Sequence, residues 1–179
     1  MTPIRTPVTA EQLATDVAAE TIRELEEASK KIRHCVEQLT DDQVWWRAGD
    51  SQNSIANLIL HLCGNIRQWI VSGIGGAGDV RDRPKEFSQR GPMPRENLLG
   101  QLDAAVGEAI GALSRITAAD LLAMRPIQGF DVTGLAAIFH TLPHFRGHTQ
   151  EIVHISRTLL GDRYKFAWTP RTPEQGALA

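Results

Sequence analysis

Apolar residues recur at helical spacing in four separate stretches of this chain, and no stretch carries the alternating, β-branched pattern of a sheet. In the first stretch the apolar positions are Leu13, Val17, Ile22, Leu25, Ile32, Val36 and Leu39. Thr9 with Gln12 reads as a capping box that opens this helix, which should run to about Gln38. Thr40 and Gln43 form a second such box, ahead of a short turn carrying Trp45 and Trp46. The second helix begins near Ser54, an N-cap residue, and puts Ile55, Leu58, Leu62, Ile66 and Trp69 on one face before the glycines of "SGIGGAGD" end it. The third spans about Arg95 to Arg115, with Leu98, Leu102, Ala105, Ile110 and Leu113 inward. The fourth starts near Asp131 or Thr133 and reaches about Leu160, where Gly161 stops it; its stripe is Leu135, Ile138, Leu142, Phe145, Ile152, Ile155 and Leu159. The segment "TAAD" to "MRPIQGFD" reads as a connection with one helical turn. This pattern predicts an all-α four-helix bundle. Residues 72–94, rich in glycine, proline and charge, form a long crossover connection between helices two and three. The bundle should occupy residues 1–168, and residues 169–179, with Pro170, Pro173 and Gly176, a flexible tail.

Composition narrows the function. At 42% hydrophobic over 179 residues, the chain can build a sizeable core. Nineteen basic residues against 21 acidic ones, with no basic stripe, argue against a nucleic-acid partner. Apolar runs such as "LAAIF" are far too short to cross a membrane, and "MTPIRTPVTAEQ" has no apolar signal core. The two cysteines, Cys35 and Cys63, form no CxxC and point to a reducing compartment, so a soluble cytoplasmic protein is expected. Cys63 reads as a buried structural thiol.

The chemistry concentrates in "HTLPHFRGHTQEI", residues 140–152, which holds three of the six histidines at four-residue intervals. His144 and His148 share a helical face at the spacing of two ligands to one metal ion, without the glutamate base of an H-E-x-x-H helix. His148 falls in register between Phe145 and Ile152 and should point to the core, where an imidazole needs a partner. His61, beside Leu58 and Leu62 on helix two, is another core-facing histidine, and facing helices are where bundles build metal sites. His140 is one turn before His144. It lies about 12 Å along the axis from His148, so the three do not easily hold one ion. Spacing alone leaves the pairs His140/His144 and His144/His148 equal. His34 and His154 read as surface residues. Pro143 should kink the helix or loosen its ladder. Asn65, one turn after His61, and Glu151, three residues after His148, could orient ligands from outside the coordination shell, as could His140.

"SIANLILHLCGNIRQWI" and "HFRGHTQEIVHISRTLLGD" together resemble the DinB/YfiT-like superfamily of four-helix bundles. "RDRPKEF" and "LTDDQVWWRAG" are similar to further stretches of those proteins. The resemblance extends from about the first helix to Trp168. It implies that His61, His144 and His148 are metal ligands and that His140 is not. Glu151 departs from the glutamine common at that position. The resemblance also implies a homodimer, a divalent ion, and a thiol-dependent transferase using a low-molecular-weight thiol such as bacillithiol, mycothiol or glutathione on a small-molecule substrate. Imidazole ligands suit zinc or nickel best, with iron and manganese as alternatives. A metal-dependent hydrolase and a non-catalytic dimeric ligand-binding or interaction module with a structural or vestigial metal site are the competing expectations. An open coordination position would favour an enzyme, and a fourth protein ligand the module.

Overall fold

Thr9 caps the first helix by accepting a hydrogen bond from the Gln12 N–H at 3.1 Å, and α1 runs Ala10–Val36. The architecture comes from a computed structural model that describes residues 8–168. The expected tail at 169–179 lies outside the described residues. After α1 come α2 (Asp41–Trp45), α3 (Ile55–Ile66), α4 (Arg83–Ser88), α5 (Arg95–Leu113), α6 (Ala118–Leu122) and α7 (Gly134–Leu160). A π-helical stretch, Arg67–Ser72, continues α3. Complete capping boxes open α2 (Thr40 with Gln43), α3 (Ser54 with Asn57) and α6 (Thr117 with Asp120).

The long helices α1, α3, α5 and α7 make the bundle. Ion pairs and ring contacts give their directions. Arg67 meets Glu108, and Gly75 lies against Ala112, so α3 and α5 are parallel. Glu24 meets Arg146, and Cys35 meets Tyr164, so α1 and α7 are parallel as well. His61 meets His144 while Trp69 stacks on His140, which makes α3 and α7 antiparallel. Two parallel neighbours joined in sequence require a connection that returns along the bundle. The long segment between α3 and α5 is that crossover, and α4 is folded into it. Leu25, Ile32, Leu58, Leu62, Ile66, Leu98, Leu102 and Phe145 are fully buried between the four helices.

Two expectations need correction. Met124–Ile127 and Phe130–Thr133 form an antiparallel hairpin before α7, where no strand pattern is legible. Four-residue strands are too short to display alternation. The turn itself is a Gln-Gly pair with φ 53° at Gln128 and 83° at Gly129, the positive values that a tight two-residue hairpin turn needs. His148 does not point into the core. Thr141, Phe145, Thr149 and Ile152 take the innermost positions of α7, and His148 lies at their rim with its side chain 25% exposed. Pro143 sits on the exposed side of an unbroken α7.

Among the described residues Phe145 is the largest side chain that folding removes from water completely, whereas Phe139 on the same helix is 69% exposed. We expect Phe145→Ala to cost about 3–5 kcal/mol in urea unfolding and Phe139→Ala to stay within roughly 0.5 kcal/mol of wild type. Equal losses would contradict this packing.

Candidate metal centre

His61, His144 and His148 converge. Each offers a ring nitrogen, and these three atoms lie within 4.8 Å of one another. His61 is buried, 5% exposed, and comes from α3; the other two are half-buried and come from successive turns of α7. Nε2 of His61 is 2.9 Å from Nε2 of His144. The His148 ring stands 5.2 Å from that of His61 and 4.6 Å from that of His144, close to perpendicular to both.

Carboxylates hold two of the rings from behind. Nδ1–H of His61 donates to Oε2 of Glu86 at 2.9 Å, and Nδ1–H of His148 donates to Oε2 of Glu151 at 2.8 Å. A histidine whose Nδ1 carries the proton presents a bare Nε2, the form that binds metals. The Arg81 Nη2 is also 3.1 Å from Nδ1 of His61, but one ring nitrogen cannot donate and accept at once. The charged carboxylate at 2.9 Å decides in favour of donation. Arg81 instead pairs with Glu86 itself, through Nε to Oε1 at 2.7 Å and Nη2 to Oε2 at 2.8 Å. Burial works to raise the Glu86 carboxyl, but hydrogen bonds from Arg81 and His61 outweigh it and hold Glu86 below the usual carboxylate range. His144 is pushed down to about 4, first by burial and then by the neighbouring His148, His61, His140 and Arg81. It is therefore a neutral imidazole at neutral pH, with a lone pair to give.

Local sequence explains why Glu86 is there. Asp82 caps α4 by accepting from the Lys85 N–H, and a proline in the first turn fixes its start. Asn57, inside the α3 capping box, donates to the Glu86 and Gln89 carbonyls at 2.8 and 3.0 Å and ties the crossover to α3. Trp45 Nε1 donates to the Met93 carbonyl at 2.9 Å and anchors its far end. Gly64 leaves the space: a Cβ there would stand 1.9 Å from Glu86 Oε1. Neither Arg81 nor Glu86 was singled out by residue spacing. The proline-bearing helix start at Asp82 was the readable signal for α4.

The other expected residues divide. Glu151 partners His148, as above. Asn65 is buried at 3% exposure, and its Oδ1 has no hydrogen-bond partner among the described residues. His140 stands outside the group; its exposed ring stacks on Trp69 at 3.8 Å, and Trp69 Nε1 donates to Gln128. Cys63 is buried, and its thiol is pushed up to about 12 by burial, so it is not a nucleophile. A separate pocket of about 650 Å³ lies between α3, α5 and the crossover. It shares Gly64, Arg81 and Glu86 as a wall but is not lined by the three histidines. The imidazole cluster, where the chemistry lies, is therefore the candidate centre.

Gly64→Ala should force Glu86 off its partners. We expect a folded protein destabilised by about 1–3 kcal/mol in urea unfolding, and an unchanged midpoint would show that Glu86 has room to yield.

Comparison with known proteins agrees with this architecture. The model of the DUF1572 family, described as a protein of unknown function, matches residues 12–173. A DinB-like protein from Bacillus cereus is similar in structure, with a TM-score of 0.63 and 15% identity over 78% of this chain and 90% of that one. A conserved protein from Enterococcus faecalis gives a TM-score of 0.67 and 14% identity over 87% of this chain and 99% of that one. At these identities the likeness is one of fold. No protein of curated function matches the chain. No helix among the described residues is long and apolar enough to cross a membrane. On the extent of the family match, the chain belongs to the DUF1572 family.

Proposed function

We propose that the protein is a divalent-metal-dependent enzyme acting on a small molecule, and specifically a thiol S-transferase. The observation that carries the reading is the convergence of three neutral-capable imidazoles, two of them backed by carboxylates. Three histidines with no fourth protein ligand in the group among the described residues suit an open coordination shell better than a closed structural one. Zinc or nickel is the ion that this donor set favours, with iron or manganese possible on ligand type. When bound, such a cation supplies a Lewis acid that keeps a thiol deprotonated near neutral pH. His61, His144 and His148 would hold it without adding negative charge, so its full charge acts on the thiol. Glu86 and Glu151 keep two of the rings aimed. The half-buried, exposed-rim position of His148 leaves a side open for an electrophile to approach. The thiolate sulfur forms a bond to the electrophilic carbon, the leaving group departs with the electron pair, and the thiol proton goes to solvent.

The low-molecular-weight thiol as co-substrate rests on the family resemblance. Cys35 and Cys63 are both free and buried, which fits a reducing, cytoplasmic setting. We also propose a homodimer, again on the resemblance. Sedimentation at micromolar concentration should give twice the chain mass, and a monomer alone would refute it.

Metal analysis of protein purified without a histidine tag tests the centre. Content should fall sharply in His61→Ala, His144→Ala and His148→Ala, and much less in His140→Ala. Loss in His140→Ala with retention in His148→Ala would move the site by one helical turn, and full retention in all four would abolish it. For the reaction, the metal-loaded protein should consume glutathione or a related thiol in step with an alkylating substrate. Product release without thiol loss would instead indicate hydrolysis.

A further inference from the structure

The three rings of the cluster are not served equally. Nδ1 of His61 and Nδ1 of His148 each meet a carboxylate, while among the described residues no hydrogen-bond partner stands at Nδ1 of His144. One buried acceptor nearby is also without a partner. Asn65 is 3% exposed, and its Oδ1 accepts no hydrogen bond among the described residues. On α3 it stands one turn from His61 and one turn from Trp69, on the same face. His61 meets His144, and Trp69 meets His140. By register Asn65 therefore lies on the face of α3 that meets α7, between those two levels.

Proton accounting links the two orphans. Only one proton fits between Nε2 of His61 and Nε2 of His144 at 2.9 Å. A cation that takes both Nε2 lone pairs requires that proton to leave, and a neutral His144 ring that gives up its Nε2 lone pair carries its proton on Nδ1. Nδ1–H then needs an acceptor that the other two rings already have.

We propose that Asn65 is the positioning residue of His144, its carboxamide oxygen accepting from Nδ1–H when the three imidazoles hold a divalent cation. The inference rests on the metal reading above. An asparagine suits the role because its carboxamide oxygen is an uncharged acceptor for Nδ1–H of the loaded ring. Leucine of similar size cannot accept that bond, and aspartate can.

The test is zinc affinity, measured by competition with a chromophoric chelator on the full chain without a tag, for wild type, Asn65→Leu, Asn65→Asp and His144→Ala. Asn65→Leu should weaken zinc binding about 10–100-fold, and Asn65→Asp should restore most of it. The metal-free melting temperature of Asn65→Leu should not fall, since it removes a buried polar group that has no partner. Nitrogen-15 spectra of the zinc-loaded wild type should show the His144 proton on Nδ1. Wild-type zinc affinity in Asn65→Leu, with binding lost in His144→Ala, would overturn this inference and leave the metal reading intact. Equal weakness of the leucine and aspartate variants would overturn it too, and so would a His144 proton on Nε2. A wild type that takes up no zinc would defeat the metal reading and this inference with it.

Discussion

A buried carboxylate fixes how this molecule is built around its histidines. Glu86 is 8% exposed and ionised. A charge so far from water is tolerable only with partners in good geometry. It has two, Arg81 and His61, and both are as buried as it is. Removing one member of such an arrangement typically costs about 3–5 kcal/mol, because the charge left behind has nowhere to go. The crossover that carries Arg81 and Glu86 is thus tied to α3 by an ion pair that the histidine completes. The same bond decides which nitrogen of His61 is free. Structure and candidate chemistry meet in one carboxylate.

The topology makes this possible. A simple up-and-down bundle would join α3 and α5 by a short turn and make them antiparallel. Here they are parallel, and the chain must return the length of the bundle before α5 can begin. That return places α4 against α3, where Asn57 ties it down and the missing Cβ of Gly64 admits the Glu86 side chain. On the opposite side, antiparallel packing of α3 and α7 brings His61 to two successive turns of α7. The cluster is therefore assembled from three segments far apart in sequence, each positioned by a different device.

The helices and the spacing of the histidines could be read directly, because amphipathic stripes and i,i+4 pairs are local properties. The helix starts at Thr9, Thr40 and Ser54 were legible for the same reason, as was the need for a crossover, since the segment between α3 and α5 is far longer than a hairpin turn. Spacing could not choose between His140 and His148 as the partner of His144. The structure separates them through Trp69, which takes the His140 ring onto its own face. The hairpin leaves no legible pattern because its strands are four residues long. Glu86 escaped because a glutamate in a charged, proline-containing loop looks solvated, and only the packing of α4 on Gly64 buries it. The inward direction expected for His148 failed because Thr149 takes the core position, its hydroxyl satisfied by the Phe145 carbonyl at 2.8 Å.

The proposed centre places one divalent cation among His61, His144 and His148. Anomalous X-ray diffraction from crystals grown with zinc, measured on both sides of the zinc edge, tests it without assuming any reaction. One strong anomalous peak per chain is expected, bounded by these three side chains, with Glu86 and Glu151 still behind His61 and His148. A peak bounded instead by His140, or no peak among the three rings in protein that holds zinc elsewhere, would contradict it.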